Sequence, residues 1–319
     1  MPAPVTLLVH GGAGTLTRTN LSPAQELEYR DALGQALRAG QSLLLQGASA
    51  VDAVVAAVGV LEDCPLFNAG KGSVFTHEGR NEMDAAVMDG ATGQAGAVAG
   101  VVSVRNPILA AQAVMQRSGH VLLMGQGADA FAQSQGLALE GPEYFYTPHR
   151  WQQLQAALTQ NQVMLDHDGQ HPQGQPEPID RKFGTVGAVA LDAQGHLAAA
   201  TSTGGMTNKM FGRVGDSPLI GAGTYACDAT AAVSATGAGE FFMRGVVAHD
   251  ITARMAYGGL SLAQATEATV RDKLDATGGR GGVIALDRQG HYQLAFNTEG
   301  MYRGVVQGDG PPQIAIYRD

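Results

Sequence analysis

No run of apolar residues in this chain approaches the roughly 20 that cross a bilayer, so no membrane-spanning segment is expected. Basic residues are scarce: 20 lysines and arginines face 29 aspartates and glutamates, a formal net charge of −9. Without a basic stripe, nucleic acid is excluded as the expected partner. The only cysteines, Cys64 and Cys227, cannot make a disulfide framework and are read as buried thiols of a reducing compartment. Met1-Pro2-Ala3-Pro4 carries no positive charge, and Val5–Val9 is too short for a signal-peptide core, so a cytoplasmic protein is expected. Charged residues are only 15% against 45% hydrophobic, which excludes a disordered chain and suits a large core. Glycine, by contrast, is abundant, with 44 residues clustered near turns and strand ends.

Val5–His10 predicts a strand that ends in the glycine loop Gly11-Gly12-Ala13-Gly14. Ser22-Pro23-Ala24-Gln25 is a helix start, with serine as cap, proline at the first helical position and glutamine three residues after the cap; the helix should run to about Gly47. Ser49 with Asp52 opens a second, very apolar helix over Ala50–Leu61. After the loop Cys64–Gly72 come strands near Glu82–Met88 and Ala97–Val104, a helix from Asn106-Pro107, and shorter helices around Ala128–Gln135 and Pro148–Leu158. From about Thr159 to Lys182 the chain is a polar linker with no hydrophobic period. Beyond it, residues 187–206 (GAVALDAQGHLAAATSTGGM) align without gaps on 282–301 (GVIALDRQGHYQLAFNTEGM). Each copy reads as a strand, a turn at Asp-x-Gln-Gly-His and a returning strand, and the plain reading is one hairpin type used twice in the same antiparallel sheet. Between the copies lie helices over about Glu240–Tyr257 and Leu262–Leu274, the latter capped by Ser261. This order suits helices packed over antiparallel sheets.

Several motifs carry less than they promise. His10-Gly11-Gly12-Ala13 is like the oxyanion loop of α/β-hydrolases, but no serine has glycine at both −2 and +2, so the nucleophile elbow is missing. Gly70-Lys71-Gly72-Ser73 lacks the order of a phosphate loop and reads as a tight turn. Asp166-His167-Asp168-Gly169 and His171 read as part of the solvated linker, since the calcium-loop pattern is incomplete.

Phe183-Gly184-Thr185-Val186-Gly187 is different, because it stands where polar linker turns into apolar strand. Cleavage of the Gly184–Thr185 bond would leave Thr185 with its hydroxyl and α-amine side by side, the nucleophile and base of an N-terminal-threonine hydrolase. If the hairpin begun at Thr185 is tight, Thr203 returns close to the strand start. Arg213-Val214-Gly215-Asp216 spaces a cation and an anion three residues apart, a pair able to hold the carboxylate and ammonium of an amino acid. Thr236-Gly237-Ala238-Gly239-Glu240 leads into a helix, where free backbone N–H groups would favour developing negative charge.

Taken together and in order, these segments resemble one family. His10–Gly14, Asn68-Ala69-Gly70, Asp84–Gly90, Gly184–Gly187, Thr201–Gly205, Gly212–Pro218, Thr236-Gly237 and Asn297–Met301 look like the plant-type L-asparaginase/isoaspartyl peptidase family of N-terminal-nucleophile hydrolases. The resemblance spans nearly the whole chain apart from the linker. It implies one domain with an αββα sandwich fold, two stacked antiparallel sheets covered by helices. It also implies self-cleavage into an α subunit (1–184) and a β subunit (185–319), with two αβ units forming an (αβ)2 heterotetramer.

Thr185 would be the nucleophile and its freed amine the base, Thr203 would orient it, and Thr236 hydroxyl with Gly237 N–H would form the oxyanion hole. Arg213 would hold the substrate's α-carboxylate, and Asp216 with the Gly239 carbonyl its α-ammonium; Val214, Gly215 and Ala238 complete the pocket segments. The implied activity is hydrolysis of isoaspartyl dipeptides and L-asparagine to L-aspartate, with no cofactor required. Backbone carbonyls of Leu61, Glu62, Cys64, Phe67, Ala69 and Lys71 would bind a structural sodium ion, although lysine at 71 departs from the apolar residue expected there. The alternatives are a glycosylasparaginase of the same fold and a non-catalytic amino-acid-binding relative.

Overall fold

The structure is a computed structural model that describes residues 4–19, 21–160 and 184–318. The N-terminal part runs β1 (Thr6–Gly14), α1 (Pro23–Leu45), α2 (Ala50–Asp63), β2 (Met83–Asp89), β3 (Ala95–Val101), α3 (Pro107–Arg117), β4 (Leu122–Met124), α4 (Gly125–Ser134), α5 (Pro142–Phe145) and α6 (Pro148–Gln160). Almost all of the proposed linker, including Asp166–Gly169 and His171, lies outside the described residues. The chain continues with β5 (Val186–Leu191), β6 (Leu197–Thr203), β7 (Thr224–Ala226), β8 (Ala231–Gly237), α7 (Gly239–Gly245), α8 (Val247–Ala256), α9 (Leu262–Glu267), α10 (Leu274–Thr277), β9 (Gly281–Asp287), β10 (Tyr292–Phe296), β11 (Gly300–Gln307) and β12 (Gln313–Tyr317).

The strands form an eight-stranded sheet, order β12-β11-β1-β5-β6-β2-β3-β4, and a four-stranded sheet, order β10-β9-β8-β7. Pairing is antiparallel except for β3 with the short β4. Strand alternation shows how the layers stack. Val186, Ala188 and Ala190 of β5 join the core beneath α1, α2 and α3, whereas Val189 and Leu191 face the other sheet. On β9, Ile284 and Leu286 meet them there, while Val283 and Ala285 turn to the helices α7–α10. A strand covered on both faces reads as a continuous apolar run, which is why β5 and β9 look so uniform in sequence. Helix, sheet, sheet, helix is the αββα sandwich.

Local chemistry sets the element ends. Ser22 and Gln25 form a full capping box at the start of α1, as do Ser261 and Gln264 before α9. Four expectations need correction. The repeated hairpins β5–β6 and β9–β10 lie in different sheets, stacked across the central core, not in the same one. β1 does not stop at His10: a bulge between His10 and Ala13 lets the glycine segment pair with Met301 and Gly300. The helix expected over Glu240–Tyr257 breaks at Val246, which sits in the left-handed region at φ 47°. There the N–H groups of Ala248 and His249 turn to the carbonyls of Ala222 and Gly221, so α8 starts afresh. Finally, both cysteines are free thiols but only half-buried.

Candidate active site

Leu197 N–H donates to Asp228 just ahead of β8, so the far end of the β5–β6 hairpin meets the start of β8. The end of β8 therefore lies over the start of β5. A side chain on Gly187 would meet Ser234 Oγ, which sets the end of β8, where Thr236 stands, near the start of β5, headed by Thr185. Both threonines are buried, as is Thr203, which the β5–β6 register sets opposite Thr185.

Thr185 Oγ1 donates to Thr203 Oγ1 at 3.0 Å. Thr203 Oγ1 also accepts the N–H of Gly205 at 3.0 Å, from a residue with φ 78° that suits glycine. The Gly184 carbonyl accepts the backbone N–H of Asn68 at 3.2 Å. Asn68 is itself fixed on three sides. Its carbonyl accepts Gly204 N–H, its Oδ1 accepts Val74 N–H at 3.0 Å, and its Nδ2 donates to the Gly205 carbonyl at 2.7 Å. A carbonyl held by an N–H donor, with a hydroxyl on the next residue, is an arrangement in which attack on that carbonyl is favoured. Asn68 stands out in sequence only as part of a short Asn-Ala-Gly segment; its partner Gly184 is too distant in the chain for spacing to reveal the contact.

The charged pair comes from one loop, between β6 and β7, and meets the start of α7. A side chain on Gly239 would lie 2.8 Å from Arg213 Nη2 and 3.0 Å from Asp216 Oδ1, so anything larger than glycine would press on both charged groups. Arg213 folds back over Gly215, and its Nε donates to Glu240 Oε1 at 2.9 Å. Glu240, which spacing does not single out, thus shares the cation with whatever Arg213 binds. Asp216 is buried, and among the described residues its Oδ2 has no hydrogen-bond partner. Burial pushes its carboxyl up to about 7, against the opposing pull of Arg213. Thr236 Oγ1 is likewise buried without a partner among the described residues. Ala238 differs from expectation: its N–H is taken by the Arg280 carbonyl at 3.0 Å, so it is not free for an anion. Val214 stands between the two charged residues in the chain.

Beneath this floor lie two further ionisable groups. Lys209 is buried and donates to the Glu82 carbonyl at 2.8 Å, and burial lowers its pKa against the pull of Asp84. Asp84 pairs in register with Thr203, and its Oδ1 accepts Gly100 N–H at 2.8 Å.

The loop 61–71 curls so tightly that Gly70 packs against the Glu62 carbonyl. The carbonyls of Leu61, Cys64 and Ala69 each accept one N–H of the loop, which leaves a second lone pair on each. The Lys71 ammonium stands over the Tyr144 ring at 5.1 Å. The Glu62 side chain points elsewhere, accepting Ser202 Oγ at 2.6 Å and Ile108 N–H at 3.0 Å, and burial pushes its carboxyl up to about 8. Among the described residues no three His, Cys, Asp or Glu side chains cluster as metal ligands do.

An αββα sandwich with a threonine heading an inner strand defines the N-terminal-nucleophile hydrolase fold. Within that class, the chain belongs to the asparaginase family, whose pattern matches residues 3–316. It is 55% identical to an isoaspartyl peptidase of Salmonella typhimurium over 98% of both chains. It is 54% identical to an isoaspartyl peptidase of Escherichia coli, over 98% of this chain and 96% of the relative. A plant-type L-asparaginase of Pyrococcus abyssi is 41% identical, over 98% of this chain and all of the relative. Among the described residues no helix is long and apolar enough to cross a membrane.

Proposed function

We propose that this protein is a self-processing threonine hydrolase that cleaves β-aspartyl dipeptides and the side-chain amide of L-asparagine, releasing L-aspartate. The observation that carries the reading is the Thr185–Thr203 hydroxyl contact beside an Asn68-held Gly184 carbonyl. Maturation starts when Thr185 Oγ1 adds to the Gly184 carbonyl carbon and its proton passes to the peptide nitrogen. The C–N bond breaks, giving a Gly184 ester on Oγ1 and a free Thr185 amine. Water then hydrolyses the ester to the Gly184 carboxylate and the Thr185 hydroxyl, leaving α (1–184) and β (185–319) subunits.

In the mature enzyme the α-amine takes the proton of Oγ1 as the hydroxyl attacks the substrate's side-chain carbonyl. Thr236 hydroxyl and Gly237 N–H stabilise the oxyanion. The leaving amine departs protonated, and water releases aspartate from the β-aspartyl ester. Arg213 holds the α-carboxylate, while Asp216 and the Gly239 carbonyl hold the α-ammonium; a buried carboxylate oxygen without a hydrogen-bond partner among the described residues is an apt receiver for a cation. An aspartyl unit linked through its side chain presents both charges free. The names of the relatives support this substrate class.

Neutral carbonyl oxygens of Leu61, Glu62, Cys64, Phe67, Ala69 and Lys71 suit a sodium ion and not a thiophilic metal, and such an ion would hold the loop that carries Asn68. The reading includes an (αβ)2 assembly acting in the cytoplasm, with no cofactor in the reaction. Steady-state assays of β-Asp-Leu and L-asparagine test it, and absence of both activities in processed protein would overturn it.

A further inference from the structure

Arg150, on α6, is 1% exposed, and nothing in the reaction above uses it. Its guanidinium is directed at the loop that carries Asn68. Nε donates to the Gly72 carbonyl at 2.8 Å, and Nη2 makes a longer contact of 3.5 Å with the Leu66 carbonyl. The remaining arm, Nη1, donates to Gln153 on the same helix at 3.1 Å, which steadies the fork. Leu66 and Gly72 are the two ends of a short coil. Inside it Gly72 N–H returns to the Ala69 carbonyl at 3.1 Å, and the Phe67 carbonyl packs where a side chain on Gly72 would be. Burying a guanidinium is costly, and simple packing would not need one. A planar fork that reaches two carbonyls at a fixed separation is what arginine supplies and lysine does not.

Asn68 sits within this coil. With its side chain and carbonyl already engaged, the position of the coil decides where its N–H points, and that N–H meets the Gly184 carbonyl at 3.2 Å. We propose that Arg150 is a positioning residue for self-cleavage: it pins both ends of the Leu66–Gly72 coil so that Asn68 N–H stays on the Gly184 carbonyl while Thr185 attacks. The proposal rests on the self-cleavage reading above. Hydrolysis of substrate relies on Thr236 and Gly237 for its oxyanion and on Arg213 and Asp216 for recognition, groups other than the Gly72, Leu66 and Gln153 partners of Arg150. Maturation and turnover should therefore separate.

Arg150→Met and Arg150→Lys are prepared in the full chain beside wild type, and the half-time of processing is followed on denaturing gels. Melting temperature is measured for each, with kcat and KM for β-Asp-Leu normalised to the processed fraction. The expected result is at least a tenfold slower cleavage for Arg150→Met and an intermediate rate for Arg150→Lys, which keeps one point donor. The processed fraction of each should hold kcat and KM within twofold of wild type. Cleavage of Arg150→Met at the wild-type rate would overturn the assignment while leaving self-cleavage intact. So would a fall of kcat in the processed fraction in step with the cleavage rate, in either variant, because that marks general loss of structure. A wild-type chain that never cuts itself would overturn the self-cleavage reading and this proposal with it.

Discussion

The hydroxyl of Thr185 donates to the hydroxyl of Thr203 at 3.0 Å, across the open end of the β5–β6 hairpin. Register alone brings them together, since Val186 pairs with Ser202 and the next residue outward on each strand is a threonine. The Gly205 N–H on the same Thr203 oxygen fixes that acceptor in place. The proposed nucleophile is thus aimed by backbone geometry before any substrate arrives.

Arg213→Ala should raise KM for β-Asp-Leu and L-asparagine by about 10- to 150-fold, the loss of one charge-assisted pair. Cleavage of the precursor should continue, because the Gly184–Thr185 bond has no α-carboxylate for Arg213 to hold. An unchanged KM would remove Arg213 from substrate recognition.

Asp216 ties activity to pH. Its carboxyl is pushed up to about 7, so in the free enzyme it is largely neutral below that and cannot hold an ammonium. The ratio kcat/KM, which reports the free enzyme, should rise with pH through about 7. In Asp216→Asn the part of the rise set by that carboxyl should be lost, leaving the limb of the Thr185 α-amine, whose ordinary value is about 7.7–8.0. Stability should move the other way. A carboxyl whose folded pKa lies above its ordinary 3.8 binds its proton more tightly in the folded state, so its ionisation costs stability as pH rises from there to about 7. Asp216→Asn should therefore melt higher than wild type above pH 7 and level with it below the ordinary value. A lower melting temperature at pH 8 would contradict this account.

Thr236→Val keeps the shape of a buried side chain whose hydroxyl has no hydrogen-bond partner among the described residues. Melting temperature should not fall, while kcat drops by about 100-fold or more, as loss of an oxyanion donor does. A stability loss with kcat preserved would reassign Thr236 to the core.

Substrate choice follows from the separation of the two charges. β-Asp-Leu should exceed L-asparagine in kcat/KM, and ordinary α-Asp-Leu and L-glutamine should not be cleaved detectably. An α-peptide spends its α-carboxyl in the scissile bond, and glutamine sets its amide one methylene further out, a misplacement that costs on the order of 100-fold per ångström. Efficient hydrolysis of α-Asp-Leu would contradict the pocket; asparagine outrunning β-Asp-Leu would correct only the ranking.

Much of this was legible in the chain itself. Capping residues Ser22, Ser49 and Ser261 and the uniform apolar strands mark their elements, because those signals are local. Pieces as short as β4 and α5 carry too few residues to show a period. The break at Val246 escaped because its cause is tertiary, the carbonyls of Ala222 and Gly221 capturing the next turn. For the same reason the repeated hairpins could be recognised as alike but not assigned to separate sheets. In the candidate site, Thr185, Thr203, Arg213 and Asp216 stand in recognisable segments. The Asn68–Gly184 contact, the Glu240 bond to Arg213 and the Arg150 strap join residues remote in sequence, where no spacing rule reaches.

The most direct test is intact-mass spectrometry with N-terminal sequencing of wild type and Thr185→Ala, purified and incubated side by side. The account predicts that wild type resolves into two fragments, one of them beginning at Thr185, while Thr185→Ala stays a single chain of 32.9 kDa. A wild-type chain that remains whole, a fragment beginning elsewhere, or an alanine variant that cuts at the same bond would contradict it.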